Sequence, residues 1–242
     1  MNPFLLGALF VGLGPLAGGL LAGADRVVTA RMQGRVGPPL LQPFYDVGKL
    51  LSKRARPVNA LAEPLLCGHV LFMALSGAML LGGADLLFTA FVLALASLFL
   101  VLAAGSADSP YSFAGAEREL VAMLASEPLL ILLLAAVCKV TGQYTFQAVM
   151  AAPVAVVARL PGVFAAFLLV VTLKLRKSPF DLSASHHAHQ ELVRGLTTDL
   201  SGRLLAYVEV AHWYETVVLG SCWAVTLLLS GGNVLALYVL GR

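Results

Sequence analysis

The sequence predicts an all-α integral membrane protein: a polytopic bundle of about six to eight transmembrane helices forming a single membrane domain over residues 1–242. Three observations carry this reading. Of 242 residues, 59% are hydrophobic and 12% charged, where an ordinary soluble domain carries about a quarter charged. The apolar residues gather into runs near the ~20-residue length that crosses a bilayer core as a helix. Lipid offers no water to satisfy open strand edges, so spanning segments close their hydrogen bonds internally.

The elements follow in order. Pro3–Ala22 is the first span, and no basic segment precedes it, so it reads as a retained helix and not a cleaved signal. A polar segment, Asp25–Asn59, comes next. Leu61–Leu81 and Leu86–Ala104 are the second and third spans, joined by a tight turn over Gly82–Asp85. A polar stretch, Gly105–Glu119, leads to a fourth span at Leu120–Val140. Gln143–Arg159 is mildly apolar, contains Pro153 and is expected to lie on the surface. Pro161–Leu175 is the fifth span, and the longest charged stretch, Arg176–Gly202, follows it. Leu204–Leu229 is the sixth. Asn233–Leu240 is apolar but too short to cross, so the sequence is expected to stop within a further helix.

Loop charge sets the orientation. The segments after spans one, three and five hold 13 of the 16 Lys and Arg residues, seven of them in the first. The positive-inside rule places these segments in the cytoplasm and the N-terminus outside, with long cytoplasmic docking segments at about 23–60 and 176–203. The net charge of +3 therefore reflects topology and not a nucleic-acid partner. Cys67, Cys138 and Cys222 lie in separate apolar runs. Clusters and structural zinc need grouped thiolates, so no cofactor is expected in this chain. No repeat of 20–50 residues is visible, which argues against an inverted-repeat transporter.

Three sets of residues carry chemistry. In the first docking segment Arg26, Arg31 and Arg35 recur at helix-like spacings before Gly37-Pro38-Pro39 breaks the run. A short amphipathic helix, Tyr45–Leu51, is expected beyond Pro43, bringing in Asp46 and Lys49. Two readings stand: a basic loop facing lipid headgroups, or a fixed loop that docks a soluble protein. The second segment carries His186, His187 and His189, with Asp181, Glu191 and Asp199 nearby. The histidine spacing lacks the one-turn separation of a helical zinc site, leaving proton handling, an interface, or solvated loop residues.

The third set is ionisable residues within or at the ends of apolar runs: Glu63, His69, Glu127, Lys139, Glu209, His212 and Glu215. Such residues are costly in lipid and are expected to face a polar bundle interior. Glu209, His212 and Glu215 recur at three-residue steps and are expected to share one sector. Glu119, Met123 and Glu127 stack similarly on the fourth span. Acids and histidines along inner faces suit a proton relay. Trp213 and Tyr214 are expected to be packing anchors.

Several of these stretches form a familiar pattern. Gln33-Gly-Arg-Val-Gly-Pro-Pro, Leu-Gln-Pro-Phe-Tyr-Asp46, Ser178-Pro-Phe-Asp181-Leu, Glu191-Leu-Val-Arg-Gly195 and Asp199-Leu-Ser-Gly202 resemble, in order, the cytoplasmic loops of the respiratory complex I subunit 1 family. Quinone-reducing members usually carry an acid-rich stretch before Glu-Leu-Val, where this chain has Ser183-Ala-Ser-His-His-Ala-His-Gln190. Glu209-Val-Ala-His-Trp-Tyr-Glu215 is similar to the membrane-anchor subunit of Ech-type energy-converting nickel–iron hydrogenases.

That resemblance implies a non-redox membrane subunit of a complex that oxidises reduced ferredoxin, evolves hydrogen and translocates H⁺ or Na⁺. It implies a nickel–iron centre and 4Fe-4S clusters in partner subunits: hydrogenase large and small subunits on the cytoplasmic side, beside an antiporter-like membrane subunit. Arg26, Arg31, Arg35, Asp46 and Lys49 would form the docking loop. Asp181, Glu191 and Asp199 would lie where the soluble module meets the membrane. Glu119, Glu127, Glu209, His212 and Glu215 would extend a proton path into the bilayer. The rival readings are a quinone-facing subunit of a respiratory dehydrogenase and a free-standing cation/proton antiporter.

Overall fold

The computed structural model describes residues 3–54, 59–150, 160–176 and 195–224, and its regular elements are helices. Helix α1 spans Pro3–Met32. It runs past the expected end of the first span at Ala22, because the residues beyond are polar yet compatible with a helix. Polarity ends the bilayer crossing and not the hydrogen-bond ladder. Thirty residues rise about 45 Å, well beyond a ~30 Å core. The docking segment expected from residue 23 therefore begins as helix. Arg31 in the last turn suits the negative helix end, and Gly34, at φ +67°, turns the chain away.

Helix α2 spans Gln42–Ser52. It starts three residues before the expected Tyr45 because Pro43 is tolerated in a first turn, where its missing N–H has no partner to lose. Helices α3 (Ala62–Leu81) and α4 (Leu86–Gly105) form the expected hairpin. Asp85 caps α4 by accepting from the Leu87 N–H at 3.0 Å.

Helix α5 spans Pro110–Thr141, so most of the expected polar stretch before Leu120 is helical. Its charges find partners across the bundle, described below, and so do not interrupt it. Helix α6, Phe146–Met150, corrects the expectation of a surface-lying segment at its start. Phe146 and Val149 are buried in the main core, and the Leu86 N–H donates to the Tyr144 carbonyl at 2.7 Å. Helix α7 is Pro161–Lys174, α8 a single turn at Gly195–Thr198, and α9 Arg203–Ala224.

Among the described residues, α1, α3, α4 and α5 are long and apolar enough to cross a bilayer. Helix α9 is long enough, at about 33 Å, but carries Glu209, His212 and Glu215. Helix α7, at 14 residues, rises only about 21 Å and ends inside the bundle. The core joins Met73 and Leu80 of α3, Leu93 and Ala96 of α4, Val137 of α5, and Ala211, Tyr214 and Val218 of α9. Trp213 and Tyr214 are buried anchors as expected, and the Tyr214 hydroxyl donates to the Val11 carbonyl at 2.5 Å. Helix α1 approaches α9 closely at Gly18, where a Cβ would sit 2.4 Å from the Trp213 carbonyl oxygen. The apolar run Asn233–Leu240 lies outside the described residues.

Candidate functional site

One side of α5 carries three polar residues, Ser112, Glu119 and Glu127, set seven and eight residues apart and so spread over a sector of about 80° on a 3.6-residue helix. Each member is met by a group from elsewhere in the chain. The Ser112 hydroxyl lies 2.6 Å from Asp199 Oδ2 and 3.0 Å from the Gly195 carbonyl oxygen, fastening α8 and the turn after it to α5. Glu119 Oε1 accepts from Arg176 Nη2 at 2.8 Å and Nε at 3.2 Å, with Arg118 Nη1 3.8 Å from its other oxygen. Glu127 Oε1 accepts from Lys174 Nζ at 2.5 Å. From Ser112 to Glu127 the row extends about 22 Å along the helix axis.

The shortness of α7 makes this possible. A full-length span would carry Lys174 and Arg176 out to the headgroups, whereas α7 ends against α5 and buries the Lys174 side chain to 5% exposure. Glu127 is 14% exposed. The helix closes on Arg176 itself, at φ +50°. A non-glycine residue there is held in a sparsely populated conformation that the surrounding contacts must enforce.

Behind the row lies a cavity of about 40 Å³, lined by His69, Ser97, Glu119, Ser126, Lys174, Arg176 and Glu215 among others. A water needs about 10–15 Å³ measured this way, so the cavity has room for about three. Glu215 reaches it from α9, and His212 Nδ1 lies 3.4 Å from Glu215 Oε2. Acids, space for water and a buried imidazole are what a proton path needs. Among the described residues, no three His, Cys, Asp or Glu side chains converge as metal ligands.

The structure divides the expected α9 sector. Glu215 faces this cavity. Glu209 lines a separate one of about 120 Å³ with Arg26, Asp46 and Trp213. There α2 packs against α1 and α9 through Phe44 and Trp213, whose ring centroids are 5.2 Å apart. Arg26 Nη1 donates to Asp46 Oδ2 at 2.9 Å and Gln42 Nε2 to Oδ1 at 2.9 Å. Slight burial pushes the Asp46 carboxyl upward, but the hydrogen bonds from Arg26 and Gln42 and the charges of Arg26 and Lys49 outweigh it, holding it below its ordinary 3.8. Arg31, Arg35 and Lys49 are exposed, and Arg35 donates to the Gln33 side chain.

The structure thus gathers Glu119, Glu127 and Glu215 around one polar interior, with His212 beside Glu215. It places Asp199 beside Ser112 at one end of the same row and leaves Glu209 beside Arg26 and Asp46. Asp181, His186, His187, His189 and Glu191 lie outside the described residues. Sequence reasoning missed Lys174, Arg176 and Ser112 as members. The available signal was the length of the fifth apolar run, too short to lift its basic end out of the bundle.

Residues 5–240 match the NADH dehydrogenase family. The chain belongs to the NADH dehydrogenase subunit 1 family. Hydrogenase-4 component C of Escherichia coli K12 is 28% identical to this family member over 232 residues, covering 88% of this chain and 71% of that one. An NADH-quinone oxidoreductase subunit from Anoxybacillus flavithermus is 30% identical over 231 residues, covering 86% and 68%. In fold, this family member matches a chain of the membrane-bound sulfane sulfur reductase, an archaeal respiratory membrane complex. The TM-score is 0.82 at 23% identity, over 97% of this chain and 85% of that one. The protein is a multi-pass membrane subunit, bacterial or archaeal, of a complex I-like or hydrogenase-type oxidoreductase complex.

Proposed function

We propose that this subunit anchors and couples an ion-translocating, energy-converting nickel–iron hydrogenase, in which reduced ferredoxin is oxidised and protons are reduced to hydrogen. The observation that carries the coupling role is the part-buried polar row on α5. Two cations at the end of α7 meet two carboxylates, and one of these, Glu119, lines with Glu215 a cavity that has room for about three waters. Buried ion pairs contribute little net stability compared with apolar packing, and ionisable groups at membrane depth mark ion pathways. The exposed Arg31, Arg35 and Lys49 form the face for the hydrogenase large and small subunits, which would hold the nickel–iron centre and 4Fe-4S clusters. An antiporter-like subunit would adjoin the bundle in the membrane. His186, His187 and His189 would handle protons near that cytoplasmic face, and Asp181 and Glu191 would link it to the row.

Support for the hydrogenase branch comes from the similarity to hydrogenase-4 component C and from the histidine-containing stretch where quinone-reducing members are acid-rich. The test is affinity capture of the protein from gently solubilised membranes, with assays for nickel and for hydrogen evolution from reduced ferredoxin. Both signals are expected. A second reading, a quinone-facing subunit of a respiratory dehydrogenase, is favoured by the similarity to the NADH-quinone oxidoreductase subunit. Quinone-dependent turnover without nickel would replace the first reading with the second. The path itself fails if complexes carrying Glu127→Gln or Glu215→Gln translocate ions as well as the unmodified complex.

A further inference from the structure

His69, in the second turn of α3, is 4% exposed and lines the cavity behind the α5 row. Its Nδ1 lies 2.7 Å from the Ala96 carbonyl oxygen on α4. A carbonyl oxygen only accepts, so Nδ1 carries the hydrogen and donates it. That bond fixes both the tautomer and the ring orientation, leaving the lone pair on Nε2. The second nitrogen is therefore a proton acceptor on a ring that borders a space with room for water.

The groups around the ring come from every element packed there. Glu215 and His212 stand on α9, Glu119 on α5, and Lys174 and Arg176 at the end of α7, while α4 contributes Ser97. Glu119 is engaged by Arg176 and Glu127 by Lys174. Glu215 is met by His212, at the longer distance of 3.4 Å. His69 thus stands between an acid on α5 paired at 2.8 Å and one on α9 paired at 3.4 Å.

We infer that His69 is the proton-carrying residue of this cavity, taking and releasing a proton at Nε2, and that the ion moved through the bundle is H⁺ and not Na⁺. The inference rests on the coupling role proposed above. In the forward step a protonated Glu215 carboxyl releases its proton to a cavity water, which passes one to Nε2; the carboxyl becomes a carboxylate and the ring an imidazolium. In the return step the Nε2 proton passes through water to Glu119 as Arg176 moves off it, and the ring is neutral again. The Nδ1 hydrogen stays on the Ala96 carbonyl throughout, so the ring neither flips nor loses its anchor. No electron is transferred in either step.

A histidine that only braces α3 against α4 needs Nδ1 alone, and this separates the two roles. His69→Asn places an amide nitrogen where Nδ1 stood, preserving the donor to Ala96 and removing the titrating nitrogen. His69→Leu removes both. In intact complexes reconstituted into vesicles, we expect His69→Asn to keep its redox activity with an uncoupler present while protons moved per electron fall by an order of magnitude or more. Normal pumping in His69→Asn with loss in His69→Leu makes the residue a brace and overturns the inference.

Glu215→Gln, measured alongside, keeps the two levels apart. Its loss of pumping beside a normal His69→Asn sinks the histidine assignment alone, and normal pumping in both sinks the path on which it rests. Two measurements on the unmodified complex stand independently of folding in the variants. Pumping that stops in sodium-free medium overturns the inference, as does the absence of any imidazole protonation signal in infrared difference spectra with ring-labelled histidine.

Discussion

Removing Lys174 alone leaves Glu127 buried without its cation, and the structure sets the size of the penalty. The two side chains are 5% and 14% exposed and their charged atoms are 2.5 Å apart. Breaking a pair at this burial costs about 3–5 kcal/mol, because the remaining charge has lost its partner in a poorly solvated site. Lys174→Met and Glu127→Gln should each shift the folding equilibrium by roughly two to three and a half powers of ten. Replacing both groups at once removes the orphaned charge, and such replacements in other proteins are often neutral. Lys174→Met/Glu127→Gln should therefore cost far less than the sum of the single changes, a coupling beyond the few tenths of a kcal/mol expected of independent sites. Denaturant unfolding in mild detergent, followed by fluorescence of Trp213 and Trp223, gives all four corners of the cycle. Additive losses would refute the pair. A double variant that folds well yet does not translocate ions would show that the charges serve function more than stability.

Three further outcomes follow from the same geometry. Asp46 is held below its ordinary 3.8, so its grip on Arg26 and Gln42 is present above that pH and is lost as pH falls through the lower folded value; proteolytic release of the first docking segment should rise in that acid range, and Asp46→Asn should remove the dependence. Gly23→Ala would place a Cβ 2.0 Å from the Leu40 carbonyl oxygen; the backbone between α1 and α2 must shift at about 1–3 kcal/mol, read as weaker capture of partner subunits with little change in insertion. Ser112→Ala leaves Asp199 without its 2.6 Å hydroxyl contact at a cost of about 1–3 kcal/mol, and hydrogen exchange at 195–199 should speed up while that of α3 does not.

The apolar spans of α1, α3, α4 and α5 were legible because apolar length is a local property, and the α3–α4 turn follows from Gly82, Gly83 and the capping Asp85. The ends of α1 and α5 were not, because the sequence marks where lipid stops and not where a helix stops. The three-residue steps of Glu209, His212 and Glu215 suggested one sector, yet each step falls about 60° short of a full turn. Two steps separate the acids by about 120°, enough to send Glu209 to α2 and Glu215 to the cavity. The pairing of Glu127 with Lys174 spans 47 residues, and nothing local announces it. Phe146 and Val149, one turn apart, carried a faint signal that α6 buries a face.

The site concentrates features that each cost stability: two part-buried ion pairs, a non-glycine residue at positive φ, and a polar cavity. Their common location is the C-terminal end of α7. The chain leaves the α5 face at Arg176, bound to Glu119, and returns at Gly195, whose carbonyl accepts from Ser112. The two anchors are seven residues apart on one helix, about 10 Å along its axis. Arg176 and Gly195 therefore hold α5 at two points of the row, and the Arg176–Glu119 pair borders the cavity. Loosening that pair would free a carboxylate at the cavity that His69 also lines, and tightening it would withdraw the carboxylate.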